Sequence, residues 1–217
     1  MSRFAMRLAG TLLLLLGILR PAATAQDTHD AVALEMDTPF IRGGMLYRNY
    51  CVLCHGERGD GLARAAKLYP GKNLTIYPRP ASYYEKIIRK GGESVGASSS
   101  MPPWSDELSD QQISDVLAFL AVLGNPVRRG EFVFKTNCVL CHGLRGDGKG
   151  RAAALDNPPP ADLTRSDKTD DYKEKIITLG GQALQRSPSM PTWRDRLSPA
   201  EIADVVTYLR TLSPHKE

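Results

Sequence analysis

Apolar residues recur at helical spacing in two places along the chain. Ile113, Val116, Leu117, Leu120 and Leu123 fall at i, i+3, i+4, i+7 and i+10, and Ile202, Val205, Val206, Leu209 and Leu212 follow the same rule. Each set forms one apolar stripe on a helix that buries a single face. The starts of both helices are signalled as well. Ser109 with Gln112 and Ser198 with Glu201 read as capping boxes, and Pro199 falls at a first helical position. A helix is expected to lead into each of two Cys pairs, around 41–53 and 128–140. Shorter helices are expected at Lys86–Lys90 and Lys173–Leu179. No alternating run supports a strand, and the Gly- and Pro-rich stretches 67–82 and 155–168 read as loops. The pattern therefore predicts an all-α protein.

The chain is written twice. Cys51-Val-Leu-Cys54-His55-Gly56 returns as Cys138-Val-Leu-Cys141-His142-Gly143, an offset of 87. Arg58-Gly59-Asp60-Gly61 matches Arg145-Gly146-Asp147-Gly148 at the same offset. Two residues are then added, and Leu74-Thr75, Glu85-Lys86-Ile87-Ile88, Gly91-Gly92, Met101-Pro102, Trp104 and Asp115 return at an offset of 89. Two copies are too few for a solenoid and fit two small tandem domains. The expected division is 1–25, 26–124 and 125–217, with the joint at Gly124-Asn125-Pro126, where Gly and Pro stop a helix. A domain of this size buries little apolar surface alone, so another component is expected to fill its core.

Composition narrows the class. Of 217 residues, 24% are charged and 42% apolar, which excludes a disordered chain. Arg3 and Arg7 precede the apolar run Leu8–Leu19, which is followed by Ala23-Thr24-Ala25. This is the pattern of a secretory signal with a small-residue cleavage site. The run is shorter than the roughly 20 residues that span a bilayer, so no permanent membrane span is expected in the mature chain. The formal charge of +4 is largely the signal's own. Residues 26–124 hold 10 basic and 12 acidic residues, and 125–217 hold 15 and 12. No clustered basic face suggests nucleic acid.

C-x-x-C-H is the c-type haem attachment signature. Two thiols on one helical turn can each add to a haem vinyl group, and the adjacent His then projects to the iron. All four cysteines are consumed: Cys51 and Cys54 for one haem, Cys138 and Cys141 for the other. A thioredoxin-like C-x-x-C requires a βαβ setting that is not seen. A four-Cys zinc site leaves the repeated His and Met without purpose, and two structural disulfides remain a further reading. His55 and His142 are the candidate proximal ligands. A haem iron bound by His can take Met as its second ligand. Met101 and Met190 recur in Met-Pro-x-Trp segments ahead of the capped helices, while Met36, Met45, His29 and His215 have no counterpart. Recurrence favours Met101 and Met190 as ligands over core fillers. Pro70 and Pro159 offer carbonyls to the proximal His or are plain loop prolines. Trp104 and Trp193 bond a haem propionate or pack on the ring. Arg58, Arg145, Arg64 and Arg151 neutralise propionates or stand as solvated surface charges.

On these motifs, over residues 41–212, the chain resembles class I c-type cytochromes, specifically two-domain diheme members of the cytochrome c-four type. Its His-Gly-x-Arg-Gly-Asp-Gly and Met-Pro-x-Trp segments are also similar to the haem domains of cbb-type oxidase subunits. The resemblance implies two tandem small cytochrome c domains, each with about three to five helices wrapped around one covalent haem c. It implies thioether attachment at the four cysteines, with His55/Met101 and His142/Met190 as the axial pairs of two iron centres. The function expected is single-electron transfer between redox partners in the periplasm, with no catalysis by the chain itself. Those partners are expected to be a membrane oxidase, a reductase or a periplasmic dehydrogenase, and an uncleaved signal would tether the chain to the membrane. A haem subunit of a dehydrogenase or oxidase complex is the alternative, with a diheme peroxidase behind it.

Overall fold

The computed structural model of the protein describes residues 35–76 and 79–213. The expected signal segment, His29 and His215 lie outside the described residues. Among the described residues there is no strand, and eight α-helices fall into two matched sets of four. The first set is α1 (Pro39–Tyr50), α2 (Val52–His55), α3 (Ala81–Lys90) and α4 (Asp110–Leu120). The second is α5 (Pro126–Asn137), α6 (Val139–His142), α7 (Asp170–Leu179) and α8 (Pro199–Leu212).

Local sequence accounts for most boundaries. Both capping boxes form: the Ser109 and Ser198 hydroxyls accept the backbone N–H of Gln112 and Glu201, whose side chains accept in return. Pro39 and Pro126 open α1 and α5 behind Thr38 and Asn125, whose side chains accept the first free N–H groups. Three expectations are corrected. The helices leading into the Cys pairs end at Tyr50 and Asn137, where Cys51 and Cys138 widen to φ of −114° and −110° and a separate turn begins. The helices expected from Lys86 and Lys173 begin earlier, at Ala81 and Asp170. Pro80 and Thr169 stand just before them, and the Thr169 hydroxyl accepts the Tyr172 N–H. The expected loops shrink accordingly, the first giving way to helix at Ala81 and the second holding short 3₁₀ turns at Ala153–Leu155 and Leu163–Arg165.

In each half the first long helix crosses the last at a glycine. A Cβ on Gly43 would lie 1.8 Å from the Asp115 carbonyl oxygen, and one on Gly130 would lie 2.0 Å from that of Asp204. Only hydrogen allows that approach. Beside each crossing an arginine grips the same aspartate with two bonds. Arg42 Nε and Nη2 donate to the Asp115 carboxylate at 2.7 and 2.8 Å. Arg129 does the same to Asp204 at 2.7 and 2.9 Å. Both aspartates are buried, and such fork-on-fork pairs fix direction as well as distance.

The two halves pack through α1 and α5. Phe132 of the second half joins the buried cluster of Phe40, Ile41, Tyr47, Phe119 and Leu123 of the first. The Phe132 ring edge meets Phe119, their centroids 5.3 Å apart, and lies over Gly44, where a Cβ would be 2.4 Å away. Around this contact Arg128 stacks on the Phe40 ring, Arg48 pairs with Glu201, and Arg58 donates to the Ala200 carbonyl at 3.0 Å and meets Asp204 at 3.4 Å. A cavity of about 30 Å³ lined by Arg48, Glu57 and Glu201 lies in this joint, enough for one water molecule.

Gly43→Ala or Gly130→Ala is expected to cost about 3 kcal/mol or to abolish folding of that half, since backbone must part to admit the methyl; denaturant unfolding of the purified variants checks this. Asp115→Asn is expected to destabilise the protein at neutral pH. Arg42 holds the Asp115 carboxyl below its ordinary range, so the ion pair's contribution is complete above about pH 4 and fades as pH falls. The stability gap between wild type and Asp115→Asn should therefore narrow on acidification.

Candidate haem sites

Each Cys pair sits on a one-turn helix set off from the long helix before it. Cys51 ends α1, with its N–H on the Tyr47 carbonyl at 2.9 Å, and begins α2 with its own carbonyl accepting the His55 N–H at 2.9 Å. Cys138 does the same between α5 and α6, with the His142 N–H at 2.9 Å. Gly56 and Gly143 close these turns at φ of 78°, a left-handed conformation that a side chain resists. The chain then doubles back. The Gly61 and Gly148 N–H groups donate to the His55 and His142 carbonyls, both at 2.9 Å. Asp60 Oδ1 accepts the Leu62 N–H at 2.9 Å, and Asp147 Oδ1 accepts the Lys149 N–H at 3.3 Å. The repeated Arg-Gly-Asp-Gly is thus a turn device that returns the following loop to the Cys helix.

That loop positions the histidines. His55 Nδ1 lies 3.1 Å from the Lys72 carbonyl, and His142 Nδ1 lies 3.2 Å from the Ala161 carbonyl. A carbonyl only accepts, so Nδ1 carries the proton in each ring and Nε2 of the neutral ring keeps its lone pair. Burial pulls both imidazoles below the ordinary histidine range, favouring that neutral form. The accepting carbonyls are therefore not those of Pro70 and Pro159, which leaves the loop-proline reading for both. The bonds come from residues two positions further on, because the loop meets the ring only after the proline has turned it. Pro70 is exposed, and Pro159 lines the cavity described next.

In the second half a cavity of about 670 Å³ brings Cys138, Cys141, His142, Met190, Trp193 and Pro159 onto one surface, with apolar walls from α5, α7 and α8. The volume lies within the roughly 300–1,000 Å³ of small-molecule and cofactor sites. In the first half Met101 and Trp104 pack against the buried Ile88, Leu108, Ile113 and Val116. The Met-Pro-x-Trp segments are strapped to the ends of α3 and α7. Met101 and Met190 accept the N–H of Gly92 and Gly181 at 2.8 and 2.9 Å, and the Trp104 and Trp193 N–H groups donate to Ile88 and Ile177 at 2.8 and 3.0 Å. The Trp104 indole meets the Tyr50 ring edge-on with centroids 5.3 Å apart.

The four cysteines form no disulfide, and no cluster of three or more metal-binding side chains occurs among the described residues. Burial pushes the Cys51 and Cys138 thiols up to about 12, so both are neutral thiols at physiological pH. A protonated thiol beside an apolar cavity is the form that adds across a vinyl group. Arg58 is turned into the joint between the halves, whereas Arg145 is mostly exposed and, among the described residues, meets Asp147 at 3.6 Å. The Arg42–Asp115 and Arg129–Asp204 pairs were legible as recurring residues, at offsets of 87 and 89. The Lys72 and Ala161 carbonyls carry no side-chain signal at all.

Two helical halves each carry a C-x-x-C-H turn and a half-buried Met in a Met-Pro-x-Trp loop, and in the second half one cavity brings the two together. Residues 39–120 match the cbb3-type cytochrome c oxidase subunit III family, and residues 127–213 match the cytochrome c family. The chain is a diheme class I c-type cytochrome, and its cofactors are two covalently bound haem c groups. It is 27% identical to the cbb3-type cytochrome c oxidase subunit FixP of Azorhizobium caulinodans, over 78% of this chain and 58% of that protein. It is 27% identical to subunit CcoP of Azospirillum, over 81% of this chain and 63% of that protein. The cytochrome c subunit of a quinone alcohol dehydrogenase from Gluconacetobacter polyoxogenes is 28% identical over 46% of this chain and 23% of that protein. The chain thus spans about three-fifths of the length of the oxidase subunits it matches.

Gly71→Ala tests the histidine support. A Cβ there would lie 2.1 Å from the Cys54 carbonyl oxygen, so the loop must lift and release the Lys72 carbonyl from His55. The reduction potential of the first haem should shift while that of the second stays fixed, as redox titration of the holoprotein would show.

Proposed function

We propose that the chain carries single electrons between redox partners through two His/Met-ligated haems, working in the periplasm. The observation that carries this reading is the second-half cavity, where both thiols, a neutral His142 and Met190 share one apolar surface. Haem, when bound, supplies the Fe(III)/Fe(II) couple. Cys51, Cys54, Cys138 and Cys141 would hold it by thioether bonds. His55 and His142 would present Nε2 to the iron, each oriented by its carbonyl partner, and Met101 and Met190 would supply the opposite ligand. Thioether ligation raises the potential, and the apolar walls exclude water and so favour the less charged reduced state. Were Met101 and Met190 both to bind iron, no position would be left for substrate, and this favours a carrier over a peroxidase-type enzyme. The division into 26–124 and 125–217 belongs to the same proposal, Leu123 packing with the first half and Asn125 capping the second.

Membership in a larger complex is the second reading. The oxidase and alcohol dehydrogenase subunits that resemble this chain favour it. No helix among the described residues is long and apolar enough to cross a membrane. Partners would then be a membrane oxidase, a reductase or a periplasmic dehydrogenase. Gel filtration of native extract separates a free shuttle from a stable subunit.

The ligand assignment has a direct test. Met190→His should keep a six-coordinate low-spin centre and lower its potential by on the order of a few tenths of a volt. Met190→Ala should open the site, so that carbon monoxide binds the reduced protein quickly. An unchanged second-haem spectrum in both variants would remove Met190 from the iron. Mass spectrometry should find two haem additions, with one thioether lost in Cys138→Ala, and an N-terminus at Gln26 if the signal is cleaved.

A further inference from the structure

The first half has an acidic excess as a whole, yet its surface beside the Cys turn is of the opposite sign. Between Gly61 and Ile76 lie Arg64, Lys67 and Lys72 and no acidic residue. The two acids just before this loop are diverted. Glu57 lines the small cavity in the joint between the halves, and the Asp60 carboxylate caps the Leu62 N–H. Arg64, Lys67 and Lys72 are all exposed. Large apolar side chains stand out among them: Leu62 is 80% and Leu68 78% exposed, and Leu53, Tyr69 and Ile76 are more than half exposed. The loop lies on the Cys turn itself. Its Leu74 N–H donates to Gly59 at 2.6 Å, and Gly71 approaches Cys54 so closely that a Cβ would be 2.1 Å from its carbonyl oxygen. The second half differs. Its corresponding loop exposes Leu155 but carries Asp156 and Asp162 among Lys149, Arg151 and Arg165.

We propose that the 61–76 loop with Leu53 is the docking surface of the first haem for a redox protein whose apolar contact centre is rimmed by acidic side chains. This rests on the electron-carrier reading. Exposed apolar patches of this kind mark interaction sites. The cationic rim would steer an acidic partner, and the leucines would hold it once water is expelled. The sign of charge that a partner meets is therefore set by the local loop and not by the sum over the half.

The test uses the intact diheme protein in stopped-flow mixing with anionic hexacyanoferrate(III), with cationic hexaammineruthenium(III), and with a reduced acidic flavodoxin as a protein probe. The paired variant Arg64→Glu/Lys67→Glu should slow the anionic reagent and the flavodoxin roughly tenfold at low salt and should speed the cationic reagent. Leu68→Ser should slow flavodoxin alone. The control Lys149→Glu/Arg165→Glu, at two exposed cations of the second loop, should leave the fast flavodoxin phase in place. Equal effects from the control pair, or a flavodoxin rate that does not fall with salt, would overturn the proposal. So would loss of binding to phosphatidylglycerol vesicles in the Arg64/Lys67 variant with its redox rates intact, which would make the face a membrane contact. A wild-type protein that exchanges electrons with none of the three reagents would instead sink the carrier reading beneath it.

Discussion

Everything in each half depends on two helices touching backbone to backbone. At Gly43 and Gly130 the first long helix comes so near the last that an aspartate carbonyl occupies the space of a missing methyl. The crossing places the first helix against the last, and the Cys turn follows directly from the end of the first. The part-buried Arg42–Asp115 and Arg129–Asp204 pairs set the rotation of one helix on the other. A buried ion pair adds little net stability over an apolar pair of the same volume, but leaving one partner alone is costly. That asymmetry suits a structure whose value lies in holding a cofactor at a fixed angle.

The halves share this framework and differ where they meet other things. Tyr47 of the first half bonds the Gly56 carbonyl at 2.8 Å, tying the first long helix to the close of the Cys turn. At the matching position the second half has Phe134, which packs on Tyr208 and offers no donor. Gly96 and Gln185 occupy equivalent left-handed positions, so the second loop accepts strain that the first avoids. Glu57 and Arg58, beside a solvent-facing turn by sequence, are drawn into the joint between the halves.

Much of this was legible in advance for physical reasons. Helix faces, capping boxes and the duplicated C-x-x-C-H announce themselves through side chains at fixed spacing. The break at Cys51 did not, because the apolar pattern runs on through it. Nor did the support of the histidines, since Lys72 and Ala161 act through backbone carbonyls that any residue could supply. Arg58 and Arg145 look alike in the repeat, yet only one finds a partner across the joint. Which copy does so is a property of packing between halves, and no local pattern encodes it.

Asp204 breaks the likeness between the two halves. It is held by Arg129 of its own half and approached by Arg58 of the other, while its twin Asp115 is gripped, among the described residues, from within the first half by Arg42 and Gln111. Here a single carboxylate has become the anchor of both a domain's interior and its neighbour's surface. The copies can no longer trade places, and the order in which they follow one another along the chain has become part of the structure.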